Sequence, residues 1–473
     1  MRINLLAVKI LQIIVFSSCI IPVFGKVTLP TLFGDHMVLQ RESEVNVWGR
    51  SDKSTLNITA SWNGEVKNVA VNADGTWKAR LKTPAAGGPY TLTFDDGEVV
   101  VLNDILIGEI WVCSGQSNMD MPVRGLSARD TVLNKQHILA TAQNPQIRLF
   151  KLPHKASAQP EKASPGIWQL SDSVTANNFS AVGYQYAQIL QEKLGVPVGM
   201  IHSAWSGTRI EPWMDPESLA AFNYVRPASD TAKVSRTSPS ALFNGMISPL
   251  LGFTCKGILW YQGESNAGQH AVYDKMMAAM VNGWKKGWEQ DRMAFYYVQI
   301  APFNYGKSKV VPLLREAQER AMKLIPDSYM VSTVDIGSEK TIHPADKGTV
   351  GKRLAFAALT RTYGLKGFSY ENASFESVDF KKNKGTVRIA HVAKGLVAAD
   401  NPTGFEVAGD DQVFYPAVAS VRKNEIKVRS EQVSRVRAVR YCFSDVAPGT
   451  VHNRDGLPLL PFRTDTWPIK KDK

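Results

Sequence analysis

Between residues 104 and 364, short apolar runs and helical periods take turns along the chain, and this alternation restricts the fold more than any other feature. The runs "ILIGEIWVCS", "VPVGMIHSAW", "KGILWYQG", "AFYYVQIAP" and "SYMVSTVDIG" are apolar with little polar alternation, as in strands covered on both faces. Val182, Tyr186, Ile189, Leu190 and Leu194 repeat at helical spacing before Gly195. Leu314, Ala317, Ala321 and Ile325 do so before Pro326, and Val350, Leu354, Ala357 and Ala358 before Gly364. Strands of this kind alternating with helices predict a parallel sheet with helices on both faces. Ligands of such sheets sit beyond the carboxyl ends of the strands.

The flanks read differently. Residues 26–103 alternate apolar and polar positions in short runs such as "EVNVWG" and "YTLTFDDGEVVV", with turn signals "NADG" and "DDGE", which predicts a small antiparallel β domain. From residue 366 strands return in "KGTVRIAHV", "GFEVAG", "EIKVRS" and "AVRYCFS", a second β module, and the irregular "GLPLLPFRTDTW" is expected to pack back on the catalytic part. At 473 residues the chain is too long for one ordinary core, and the expected division is 1–25, 26–103, 104–365 and 366–473. The first 25 residues read as a secretory signal peptide: Arg2 and Lys9 lie near its start, "ILQIIVFSSCIIPVFG" carries no charge, and Val23 and Gly25 suit cleavage. Export to the medium, periplasm or cell surface follows. Cys19 in "FSSC" offers the alternative of lipoprotein acylation. No later segment is apolar enough to span a bilayer.

The net charge of +12 is spread along the chain, and its one dense run is the terminal "KKDK". That pattern describes a solvated surface with weak attraction for acidic glycans, and it gives no nucleic-acid footprint. Cys113, Cys255 and Cys442 have no metal-ligand spacing and read as buried thiols.

Four segments carry chemistry, each at or just beyond a strand end. In "SGQSNM" a serine, Ser117, sits at a strand-to-loop junction between Gln116 and Asn118. A nucleophile there projects from the sheet edge beside backbone N–H groups that face a developing oxyanion; a plain turn serine is the alternative. In "SAWSGTRIEPW", Gly207 offers an unobstructed N–H, while Arg209 and Glu211 either pair with each other or face substrate. In "WYQGESNA", Gln262 is a carboxamide donor for an oxyanion, and Glu264 and Asn266 are candidates to orient the site or meet substrate. In "DIGSEKTIHPADK", His343 lies after the last apolar strand, where a base for Ser117 must arrive.

In this order the segments resemble the sialate O-acetylesterase family of SGNH-type serine hydrolases. The resemblance rests on "GQSNM", "SGTRIEPW", "WYQGESNA" and "IHPADK", and extends to "PTLFGDHMVLQRE", "VNVWG" and "LPFRTDTW", nearly the whole mature chain. It implies a flavodoxin-like three-layer hydrolase domain with attached β-sandwich modules, acting on O-acetyl groups of sugars without metal or cofactor. It implies Ser117 as nucleophile, His343 as general base, and an oxyanion hole of the Ser117 and Gly207 N–H groups with the Gln262 side chain. Many SGNH hydrolases place an aspartate three residues before the histidine; here Lys340 stands there. The orienting group is then Asp335, Glu339 or a backbone carbonyl. The substrate is acetylated sialic acid, for which Arg209 matches a carboxylate, or acetylated plant polysaccharide such as xylan. A non-catalytic carbohydrate-binding protein and a broad lipase or thioesterase are the competing classes.

Overall fold

A computed structural model describes residues 26–223, 233–306, 310–446 and 449–469; the expected signal peptide and the "KKDK" run lie outside the described residues. Strands β1 (Val38–Gln40), β2 (Glu44–Arg50), β3 (Thr55–Ala60), β4 (Val66–Ala70), β5 (Thr76–Lys82) and β6 (Gly87–Asp95) lead into the 17-residue β7 (Val99–Gly115). The antiparallel pairs β3–β4, β3–β6, β6–β7 and β2–β5 make up an N-terminal layer, with β1 parallel to the middle of β7. The expected boundary at 103/104 falls inside β7, which runs on from this layer into the central sheet.

After β7 the chain forms α1 (Ser117–Asp120), α2 (Lys135–Ala140), β8 (Asn144–Lys151), β9 (Trp168–Ser171), α3 (Ser173–Asn177), α4 (Ala181–Leu194) and β10 (Val198–Ala204). It continues through α5 (Pro216–Ala220), β11 (Gly257–Tyr261), α6 (Tyr273–Trp288), β12 (Ala294–Val298), α7 (Val311–Ala321), β13 (Ser328–Val331) and α8 (Lys347–Arg361). The central sheet runs β13-β12-β11-β7-β10-β8-β9, parallel except for the edge strand β9. Gly195 stops α4 in the left-handed conformation, φ 65°, where a glycine has no Cβ penalty. Helix α7 ends at Ala321, one turn short of the periodic Ile325.

Alternation along the buried strands fills both faces. Ile110 and Val112 of β7 and Ile258 and Trp260 of β11 join one core, with Met276, Met280 and Trp284 of α6. Trp111, Cys113, Leu259 and Tyr261 point the other way, into a core with Tyr186 and Leu190 of α4 and Val350 and Leu354 of α8. These are the three layers of a doubly wound domain. A third core, including Val387, Phe405, Val407, Ile426 and Tyr441, lies between the C-terminal antiparallel sheets. Val334, just after β13, belongs to that third core. The module is tied on by Arg315 of α7, whose buried guanidinium donates to the carbonyls of Ser444 and Asp445, and the tail by Arg463 bound to Glu316. Cys113, Cys255 and Cys442 are buried free thiols; burial pushes Cys255 and Cys442 up to about 12. Among the described residues no helix is long and apolar enough to cross a membrane.

Candidate active site

Strand β7 lies between β10 and β11, where the strand order changes direction, and its carboxyl end is the natural ligand crevice. Gly115 ends it at φ 136°, a conformation that disfavours side chains. A Cβ there would sit 2.2 Å from the Tyr261 carbonyl oxygen, which accepts the Gln116 N–H at 2.9 Å. The chain therefore turns tightly over β11, and Ser117 opens α1 at the top of the sheet, 9% exposed. As the first residue of that turn, its N–H has no intrahelical acceptor.

The two neighbours of Ser117 hold two different networks. On one side, Gln116 Oε1 accepts from Gln262 Nε2 at 3.1 Å. The same Nε2 donates to Asn266 Oδ1 at 2.7 Å and to the Thr208 carbonyl at 3.2 Å. Tyr273 donates to Gln262 Oε1 at 2.7 Å. Asn266 in turn accepts from the Ile210 N–H and donates to Glu211 and Gln269. Gln262 is thus fully buried with both N–H bonds committed, so the carboxamide expected in the oxyanion hole instead braces the turn from below. Glu211 takes its bonds from Asn266 and Gln269 and does not pair with Arg209, which is exposed.

On the other side, Asn118 Nδ2 donates to Glu264 Oε1 at 2.6 Å and to the Ile342 carbonyl at 3.1 Å, while Lys347 Nζ donates to Asn118 Oδ1. The bond to Ile342 brings the loop of His343 against the turn of Ser117. Burial pushes the Glu264 carboxyl up, against the pull of Asn118 and Lys347. Burial likewise brings the Lys347 ammonium down to about 7.

His343 Nδ1 lies 3.2 Å from Asp130 Oδ1. Asp130 also accepts from Thr341 Oγ1 and, at 3.1 Å, from Ser127 Oγ. Against burial, those hydrogen bonds and His343 itself hold the Asp130 carboxyl below the usual carboxylate range. His343 sits below its ordinary 6.5: burial lowers it, the hydrogen bond to Asp130 raises it, and the Lys347 charge lowers it. Neither acid expected from the histidine's own loop reaches it. Asp335 is bound at 2.8 and 2.6 Å by the Arg353 guanidinium, with His452 at 3.4 Å, and Glu339 is exposed. Arg353 lies on α8 and captures Asp335 before it can face His343, whereas Asp130 arrives from the loop after α1.

Gly207 is exposed at φ 71° on the loop after β10. That loop is fixed by Asp120 Oδ2, which accepts the Ser206 N–H at 3.1 Å and its hydroxyl at 2.8 Å. Burial opposes ionisation of Asp120, but His154, His202 and Ser206 hold its carboxyl at about 2. Next to the loop, the His154 ring stacks on Trp205 with centroids 4.6 Å apart. A Cβ on Gly207 would lie 3.7 Å from Arg236 Nη2, so this exposed guanidinium borders the same loop. Asp130, Lys347, Asp120 and Arg236 are the site residues that motif reading passes over. Asp120 directly follows "SGQSNM" and Lys347 closes "DIGSEKTIHPADK", so both lie beside residues that the motifs single out. Among the described residues no group of three or more His, Cys, Asp and Glu side chains is arranged to hold a metal ion.

Residues 107–360 match the family described as carbohydrate esterase, sialic acid-specific acetylesterase. The chain is 28% identical over 414 residues to the sialate O-acetylesterase of Homo sapiens, covering 79% of this chain and 78% of the relative. The sialate O-acetylesterase of Rattus norvegicus is 24% identical over 509 residues, covering 90% and 92%. A crystal structure of a carbohydrate acetylesterase from Xanthomonas citri superposes with TM-score 0.85 at 36% identity, covering 93% of this chain and all of that one.

Proposed function

Since this chain belongs to the sialic acid-specific acetylesterase family of carbohydrate esterases, we propose that it removes O-acetyl groups from sugars through an acetyl-serine formed on Ser117. The observation that carries this reading is the His343–Asp130 pair on a loop bonded to the neighbour of Ser117. With Nδ1 held by Asp130, His343 presents Nε2 as the base. Ser117 Oγ attacks the acetyl carbonyl carbon as its proton passes to Nε2. Asp130 keeps the tautomer and steadies the imidazolium. The oxyanion forms against the N–H groups of Ser117 and Gly207. The bond to the sugar oxygen then breaks, His343 returns the proton to that oxygen, and water attacks the acetyl-serine by the same route in reverse, releasing acetate. Burial lowers His343 from its ordinary value, against the hydrogen bond to Asp130, and so favours the neutral form that a base requires.

For the substrate, the reading favours an acetylated sugar acid such as sialic acid. Arg209 and Arg236 are exposed beside Gly207, and among the described residues neither has an ion-pair partner. A guanidinium fork suits a carboxylate. The test is acetate release from p-nitrophenyl acetate, O-acetylated N-acetylneuraminic acid and acetylated xylo-oligosaccharide. Ser117→Ala is expected to lose at least about 10⁴-fold. Equal rates for wild type and this variant would remove the serine mechanism. A higher kcat/KM on the xylan fragment would move the substrate to neutral polysaccharide.

A further inference from the structure

Lys347 is the first residue of α8, and its side chain is fully buried. Both facts are unfavourable for a cation. The start of a helix carries partial positive charge, and a buried ammonium loses its hydration. A lysine kept in such a place is compensated locally, and the compensation here is Asn118. Lysine can only donate, so the Asn118 oxygen faces it; the amide nitrogen is then left for two acceptors, Glu264 Oε1 and the Ile342 carbonyl. The face of the Tyr261 ring lies 5.6 Å from Nζ. Glu264 has its second oxygen buried without a partner, so it depends on this same bridge.

Resting on the reading of Ser117 as nucleophile and His343 as base, we propose that Lys347 is a positioning residue, which, through the Asn118 carboxamide and Glu264, locks the turn that carries Ser117 to the loop that carries His343. Three separate segments meet at one amide: α1, the loop after β11 and the loop before α8. An amide anchored by a cation at one end and a carboxylate at the other cannot flip without burying like against like. The groups facing Lys347 are Asn118 from α1, Tyr261 and Glu264 from β11 and its loop, Asp130 from the loop after α1, Asp346 from its own cap, and His343. Its charge opposes that of Asp130 at the histidine. Lys347 pushes the imidazole toward the neutral, proton-accepting form, and Asp130 pushes the other way.

The experiment compares pH profiles of kcat and kcat/KM on p-nitrophenyl acetate for wild type, Lys347→Met, Lys347→Arg, Glu264→Gln and Ser117→Ala, each first checked for folding by thermal melting. Lys347→Met is expected to lose about 10²-fold in kcat with KM within about threefold, the size of a positioning loss. Its acid limb should move to higher pH, because a charge that disfavoured imidazolium is gone. Lys347→Arg, which keeps the charge, should leave that limb in place. Wild type should also lose activity above about pH 7 as the ammonium deprotonates, and Lys347→Met should lack that limb. If Lys347→Met does not fold, Glu264→Gln serves. It removes a charge that raises Lys347, so the alkaline limb should move to lower pH. An inactive Ser117→Ala beside position-347 and position-264 variants with wild-type kcat and limbs would overturn the Lys347 proposal alone. An active Ser117→Ala would overturn the reading beneath it.

Discussion

Ser117 stands between two carboxamides that do unlike work. Gln116 belongs to a network of carboxamides, Gln262 and Asn266, closed by the single carboxylate of Glu211 and holding the loop that begins at Ser206. Asn118 belongs to a network of charges, Lys347 and Glu264, next to His343 and Asp130. In the proposed mechanism the first half sets where the oxyanion donors stand, and the second holds the base and sets its charge. A hydrogen-bonded amide lattice is insensitive to pH across the neutral range, whereas buried charges are not. The difference teaches that one side of the serine carries geometry alone, while on the other geometry and charge are held by the same groups.

That division can be broken by experiment, and the largest effect belongs on the charged side. Asp130→Asn should lower kcat roughly 10²- to 10⁴-fold, as for an orienting acid in a triad. Its acid limb should move to lower pH, because Asp130 raises His343 and its removal lets burial dominate. That shift is opposite in sign to the one expected for Lys347→Met, and limbs moving in the same direction would end the comparison. On the amide side, Gln116→Ala should cost about tenfold in kcat through loosened support, with both limbs where the wild type has them. A moved limb there would mean that the two halves are not separable.

Arg236→Ala is smaller still. It should raise KM for an acetylated sugar acid several-fold and leave p-nitrophenyl acetate untouched, which sharpens the reading of the exposed guanidinium beside Gly207. Smallest on rate is Asp335→Asn, expected to stay within about threefold of wild-type kcat. Its cost falls on stability, about 3 kcal/mol for removing one partner of a largely buried pair. The sign with pH is definite. The Asp335 carboxyl is held at about 2, below its ordinary 3.8, chiefly because the Arg353 hydrogen bonds overcome burial. The wild-type advantage is therefore present above about pH 4 and fades as pH falls toward 2. Chemical denaturation at pH 7 and pH 2 measures it.

Much of this was legible in the sequence because it depends on local pattern. The five apolar runs became β7, β10, β11, β12 and β13, and the fold class followed from them. The serine turn, the Gly207 loop and His343 lie at the ends of those runs for the same reason. What stayed hidden depends on distance along the chain. Asp335 is eight residues from His343 and is captured by Arg353, while Asp130 is 213 residues away and reaches the imidazole. Nothing in "SARDTV" separates that aspartate from a surface one. Gln262 was identified by type but not by state. A free carboxamide and one with every N–H committed look the same in a sequence, and only the positions of Gln116, Thr208 and Asn266 distinguish them. The length of β7 was hidden for another reason: its first residues follow the half-exposed alternation of the N-terminal layer and its last ones the buried pattern of the central sheet, so one strand reads as two.

That shared strand has a mechanical meaning. The outer layer and the turn of Ser117 are mounted on one strand, Val99 to Gly115, which is interrupted once, at the irregularity beside Asp104, φ 53°. A hydrolase core transplanted from this chain would have to take the N-terminal layer along, because the beam that supports the serine is anchored there.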